Sequence, residues 1–273
     1  MEIKKEDYIE QCCPLDTYSH SARSAPSGKI PIKEVLKELD DLYSCERNAD
    51  GSVLLEEWLK KAQEIGDWSG ELSIYSELMG HHRRTGDKDK GLFACEQGLK
   101  IIKEQGIENS VSAATVMLNA ATTYKAFGKA EKSLSVFTHV SRVFADSLSP
   151  DDYRFAGLYN NMALTYTDLE DYENAEKCFL RALSTLQKCE KSENEQAVTY
   201  CNLCELYDKQ NPEDERIALC AEKAYNLLCT KTLARDGYHA FTISKCAPTL
   251  DKLGFFVWAA ELSERAKEIY ERS

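Results

Sequence analysis

Several short clusters in this sequence carry side chains that could do chemistry. Cys201 and Cys204, in CNLC, have the spacing of two metal ligands or of a redox dithiol. No second Cys or His pair follows at a distance that would complete a tetrahedral site, so the pair reads as small buried residues of a helix. HHRR, His81 to Arg84, offers two imidazoles and two guanidiniums. Neighbours on a helix point about 100° apart, which keeps His81 and His82 from holding one ion together. His82 is expected to be packed and hydrogen-bonded, whereas Arg84 projects away from the core, either into solvent or toward a ligand. The carboxylate pairs Asp40–Asp41 and Asp151–Asp152 do not form a convincing acid and base. The second pair follows Pro150 just ahead of a helix, where carboxylates satisfy free N–H groups and the helix dipole. Phosphate-cradling glycine loops, G-x-S-x-G, H-E-x-x-H and dinucleotide fingerprints are missing from the sequence. An enzyme is therefore not expected, and neither catalytic residues nor a metal nor a cofactor is assigned.

A different group of residues is better suited to binding. Asn119, Asn161 and Asn202 each stand just before the second apolar position of an amphipathic segment, almost opposite its apolar stripe at 100° per residue. A carboxamide offers two donors and an acceptor, and can pair with both the N–H and the C=O of one extended peptide residue.

The segments that must position these amides repeat. Tyr159, Met162, Ala163 and Tyr166 share one stripe of a first helix; Ala175, Phe179 and Ala182 share one stripe of a second, with LEDYEN as the turn between. The same arrangement recurs upstream and downstream, so that the last small position of each unit falls at 98, 140, 182, 224 and 266, a constant step of 42. A weaker first unit runs through Leu36, Leu39 and Tyr43, then Leu55, Leu59 and Ala62. Small side chains let two helices approach closely while the adjacent aromatic fills the gap, and a hairpin that cannot bury its own stripe must stack on the next.

The pattern resembles the tetratricopeptide repeat, and the 42-residue step with LYNNMALTYTDLEDYENAEKCFLRAL is similar to the longer repeats of the kinesin light chain type. Asp40 in the first unit and His82, Gly91 and Gly98 in the second depart from the family's pattern. The resemblance implies an all-α fold, a right-handed α-solenoid of about six helical hairpins with units near 31–66, 71–106, 113–148, 155–190, 196–231 and 239–273. It also places the first helices on a concave surface, where the three asparagines would form one row. Neighbouring helices lie roughly 8 to 10 Å apart, or about three residues of extended chain, so the row would hold about seven residues of peptide. The bland alternative is that the amides bridge neighbouring helices, a role that also suits Asn160.

Arg84 and Lys245 join Asn119, Asn161 and Asn202 as groove positions. Across the face, Arg84, Lys209, Lys245 and Lys252 against Glu77, Asp168 and Glu205 leave one net positive charge in a chain of −12, which favours an acidic ligand segment. The acidic chain argues against nucleic acid or an anionic membrane as partners. Eleven cysteines without framework spacing read as reduced thiols in a cytoplasm. No secretory h-region and no apolar run of spanning length occurs. Residues 1–30, with Pro14 and Pro26 inside them and Pro31 just beyond, are read as a flexible tail, a cap on the first hairpin or an internal ligand of the groove. The expected function is a non-catalytic protein- or peptide-binding scaffold. A regulator similar to the quorum-peptide receptors of Gram-positive bacteria is the alternative, with too few residues ahead of the repeats for a DNA-binding domain.

Overall fold

The computed structural model describes residues 28–45, 47–230 and 233–272, so the reading of the N-terminal tail falls almost wholly outside the described residues. Within them the chain forms twelve helices and no strand. They pair as six hairpins: α1 (Ile32–Ser44) with α2 (Asn48–Ile65), α3 (Trp68–Thr85) with α4 (Lys88–Glu104), and α5 (Val111–Ala126) with α6 (Ala130–Ser147). Then come α7 (Arg154–Asp168) with α8 (Tyr172–Leu186), α9 (Glu193–Gln210) with α10 (Glu215–Leu228), and α11 (Gly237–Lys252) with α12 (Phe256–Arg272). The first three hairpins make one compact unit and the last three a second, divided after Ser147. No helix among the described residues is long and apolar enough to cross a membrane.

Six of the helices begin where a short polar side chain accepts from their free first-turn N–H groups. Asp67, Asp87, Ser110, Asp171, Asp214 and Asp236 do this for α3, α4, α5, α8, α10 and α11. The turns inside hairpins two, three, four and six need a residue with left-handed φ, and Gly86, Gly128, Glu170 and Gly254 supply it. The first three stand 42 residues apart and the fourth two periods later, so the turn repeats with the helices. Glu170 is the exception in type, holding φ 59° with a side chain attached.

The small positions of the pattern are where the helices touch. Ala175, Ala182 and Ala224 have no exposed surface, and neither does Val140. In the second hairpin the glycines make room for larger partners. A Cβ on Gly91 would come within 2.5 Å of the Phe127 ring, and one on Gly98 within 2.8 Å of the Met79 methyl. The departures at Gly91 and Gly98 are thus compensated by bulk on the facing element. Asp40, the departure in the first hairpin, is exposed on α1.

Ahead of α1, Ile30 is buried, and its N–H donates to Asp67 Oδ2 at 2.9 Å. The same carboxylate caps α3 through Gly70 N–H, so one buried aspartate fastens both the entry to α1 and the α2–α3 turn.

Candidate ligand-binding face

The first helices carry one stripe, stepping by three and four residues, that their own hairpins do not cover. On α9 it runs through Val198, Asn202, Glu205 and Lys209; on α7 through Gly157, Asn161, Leu164 and Asp168; on α11 through Phe241, Lys245, Pro248 and Lys252. In the first unit the corresponding residues are Ser73, Glu77, Gly80 and Arg84 on α3, and Thr115, Asn119, Thr122 and Ala126 on α5. Exposure along the stripe is uneven. Asn119, Asn202 and Lys245 keep 9% of their surface, whereas Asn161 is half-buried and Lys252 exposed.

The amides do different things. Asn119 Nδ2 donates to Ser76 Oγ on α3 at 2.9 Å, and Asn202 Nδ2 donates to Asn160 Oδ1 on α7 at 3.1 Å. Thr199 Oγ1 reaches the same Asn160 oxygen at 3.5 Å. Asn161 Nδ2 instead donates to Gly157 O, one turn back in its own helix, at 3.0 Å. Two of the three asparagines thus spend an N–H on the preceding hairpin, while the third stays within its helix.

Other polar side chains tie successive first helices in the same way. Arg83, fully buried, donates through Nη1 to Thr123 Oγ1 at 2.6 Å and to Asn119 O at 3.3 Å. Thr249 Oγ1 donates to Glu205 Oε1 at 2.7 Å, and buried His239 Nδ1 lies 2.8 Å from Asn194 Oδ1. A buried polar group without a partner would cost more than a bond returns, so such rungs fix the register of stacked helices.

Electrostatics differ from the sequence count in one respect. Asp208, which is off the stripe, lies 3.4 Å from Lys252 Nζ and offsets the extra positive charge of the α11 end. Lys245 Nζ sits over the Phe241 ring at 5.0 Å. In the first unit the Arg84 guanidinium lies 4.1 Å above the Tyr43 ring, and Tyr43 OH is 2.9 Å from His81 Nδ1. Burial, with His82 and Arg84 beside it, drives the His81 imidazole down to about 4. His82 is buried edge-on to His81 and shifted down by burial as well.

The remaining clusters have structural partners. Cys204 is enclosed, its Sγ 3.5 Å from Ile217 O, and no group of three or more metal-ligating side chains gathers among the described residues. Asp152 accepts from Arg154 N at 3.0 Å and clasps the Arg154 guanidinium, which holds its carboxyl below the ordinary range; Asp151 reaches Lys188 Nζ. The sequence reading missed Ser76 as an acceptor and Arg83 as a rung, because their partners lie about forty residues away, whereas Asn160 has the bridging role it was given.

Six helical hairpins, five of them repeating at a 42-residue step, make the chain an all-α helical-repeat protein. Its fold is that of tetratricopeptide-like repeat proteins, and residues 156–185 match the tetratricopeptide repeat family model. Similar folds occur in the apo form of RapI, with a TM-score of 0.65 at 12% identity over 90% of this chain and 88% of that one. NprR in complex with its cognate peptide NprX superposes with a TM-score of 0.57 at 17% identity, over 89% and 68%. Kinesin light chain repeats from Podospora anserina give 0.53 at 14% identity, over 74% and 95%. No curated protein matches the chain by sequence.

Proposed function

We propose that the chain is a non-catalytic scaffold whose first-helix faces bind an extended peptide or a helix of another protein, in a cytoplasm and without nucleic acid or membrane as partner. The observation that carries this reading is Asn161, a half-buried amide in mid-helix that donates to its own helix rather than to a neighbouring one. An amide so placed can turn its second N–H and its carbonyl to a ligand backbone. Beside it, Leu164 is half-buried, and Val198 and Phe241 are half-buried at stripe positions of α9 and α11, surfaces for alternate ligand side chains. Asn119 and Asn202 serve in part as rungs, each with one N–H left over. Arg84, resting on Tyr43, would set positive charge on the face of its own unit, and Lys245, resting on Phe241, on the face of the other.

A second reading, a peptide-sensing regulator, draws support from the likeness to NprR with its bound peptide. Both readings require a peptide on this face. Selection of peptides from a display library on the purified chain, followed by titration against Asn161→Ala, tests them. Affinity should fall about 5- to 100-fold, the loss of one hydrogen bond to a group left unpaired. Equal affinity for the variant, with folding intact, would place the ligand elsewhere.

A further inference from the structure

α11 carries a proline in its interior, Pro248, one turn before the helix ends. Proline is the least favourable residue at such a place, because it has no N–H for the carbonyl one turn back and its ring crowds that carbonyl. Pro248 is exposed, so its ring gains little burial in return. The helix is nevertheless held in line on both sides of it. Upstream, buried His239 Nδ1 lies 2.8 Å from Asn194 Oδ1. Downstream, Thr249 Oγ1 donates to Glu205 Oε1 at 2.7 Å, and Lys252 Nζ lies 3.4 Å from Asp208 Oδ2. All three contacts tie α11 to α9, and Leu250 has no exposed surface. A residue that costs helix stability at an exposed place, in a helix clamped by its neighbour, points to a backbone arrangement kept for function.

What the proline releases is the carbonyl of Ser244. In an unbroken helix its partner would be the N–H of residue 248, a group that proline does not have. Ser244 is exposed as well, and a helical carbonyl points toward the next turn, so this oxygen is directed along the exposed side of α11 toward Pro248. The Ser244 hydroxyl does not supply the missing donor, since it donates one turn back, to Ala240 O at 2.9 Å. Lys245, the next residue, turns its ammonium over the Phe241 ring.

We propose that the Ser244 carbonyl, released by Pro248, accepts a backbone N–H of an extended peptide lying across α7, α9 and α11. This contact presupposes the peptide that Asn161 grips on the same unit. α9 packs on both α7 and α11, so two helix spacings separate the outer pair, roughly 16 to 20 Å, or about five or six residues of extended chain. The peptide is thus held at two backbone points, an amide on α7 and a bare carbonyl on α11. Because a carbonyl only accepts, the ligand residue at the α11 end must keep its N–H, which excludes proline from that position.

The test uses synthetic peptides taken from display selection on the purified chain, each remade with single N-methyl groups along its backbone. They are titrated against the parent, Pro248→Ala and Asn161→Ala. Alanine restores the missing N–H, and the helix takes its carbonyl back. Pro248→Ala should therefore melt higher than the parent, yet bind the peptide about 5- to 100-fold more weakly. One N-methyl position should cost a similar factor on the parent and less than about 2-fold on Pro248→Ala, which assigns the bond to this carbonyl. Equal affinity for Pro248→Ala beside a loss for Asn161→Ala overturns the carbonyl contact and leaves the peptide on the face. Equal affinity for both variants removes the peptide from the face altogether. A lower melting midpoint, or N-methyl losses that are the same on the parent and Pro248→Ala, also overturns the assignment, since the proline then acts through packing or helix shape.

Discussion

The division of labour among the asparagines can be measured within one unit, because Asn160, Asn161 and Asn202 all lie in the α7–α12 unit. Asn202→Ala removes the 3.1 Å bond to Asn160 Oδ1 from a side chain with 9% exposure. A bond of this kind contributes about 0.5 to 1.5 kcal/mol net. Alanine also raises helix propensity by about 0.5 kcal/mol over asparagine, which masks part of the loss in the single variant. A double-mutant cycle removes that masking. The coupling between Asn160→Ala and Asn202→Ala should be about 0.5 to 1.5 kcal/mol, since propensity cancels in the cycle.

Asn161→Ala should behave differently. Its 3.0 Å bond goes to a carbonyl one turn back, a local contact that competes with the helix rather than joining two helices. With the propensity gain opposing it, stability should stay within about 0.5 kcal/mol of the parent, and coupling to Asn202→Ala should be near zero. Urea unfolding followed by circular dichroism, with slopes compared as well as midpoints, provides the measurement. If Asn161→Ala lost as much stability as Asn202→Ala, or if the Asn160–Asn202 coupling vanished, the distinction between rung and free amide would be refuted.

Three further outcomes are expected. Ala182→Leu should overpack the α7/α8 seam, where Ala182 has no exposed surface, and lower stability by about 1 to 3 kcal/mol in a thermal melt. Glu170→Gly should stabilise by about 1 kcal/mol, because φ 59° is strained for any side chain and open to glycine; an unchanged or lower midpoint would show that the glutamate has a compensating contact. His81 is held at about 4 in the folded chain against an ordinary 6.5, so the unfolded chain binds the proton first. Its contribution is full above pH 6.5 and is lost as pH falls toward 4, and His81→Gln should flatten that part of the stability profile.

The 42-residue step was legible because each hairpin buries the same stripe, so Ala182 and Ala224 recur with the period that packing imposes. The turns carry the same period in Gly86, Gly128 and Gly254, a signal that apolar residues alone do not reveal. What each asparagine does was less legible, because equivalence between repeats is not adjacency. Asn119 is equivalent to Glu77, yet it bonds Ser76, one residue earlier; Asn202 is equivalent to Asn161, yet it bonds Asn160, again one residue earlier. Within each unit the first helices are staggered, so these two amides face the residue that precedes their equivalent in the hairpin before. Asn161 shows the opposite case: its amide bonds Gly157 O one turn back in its own helix, a local partner that comparison between repeats does not reveal.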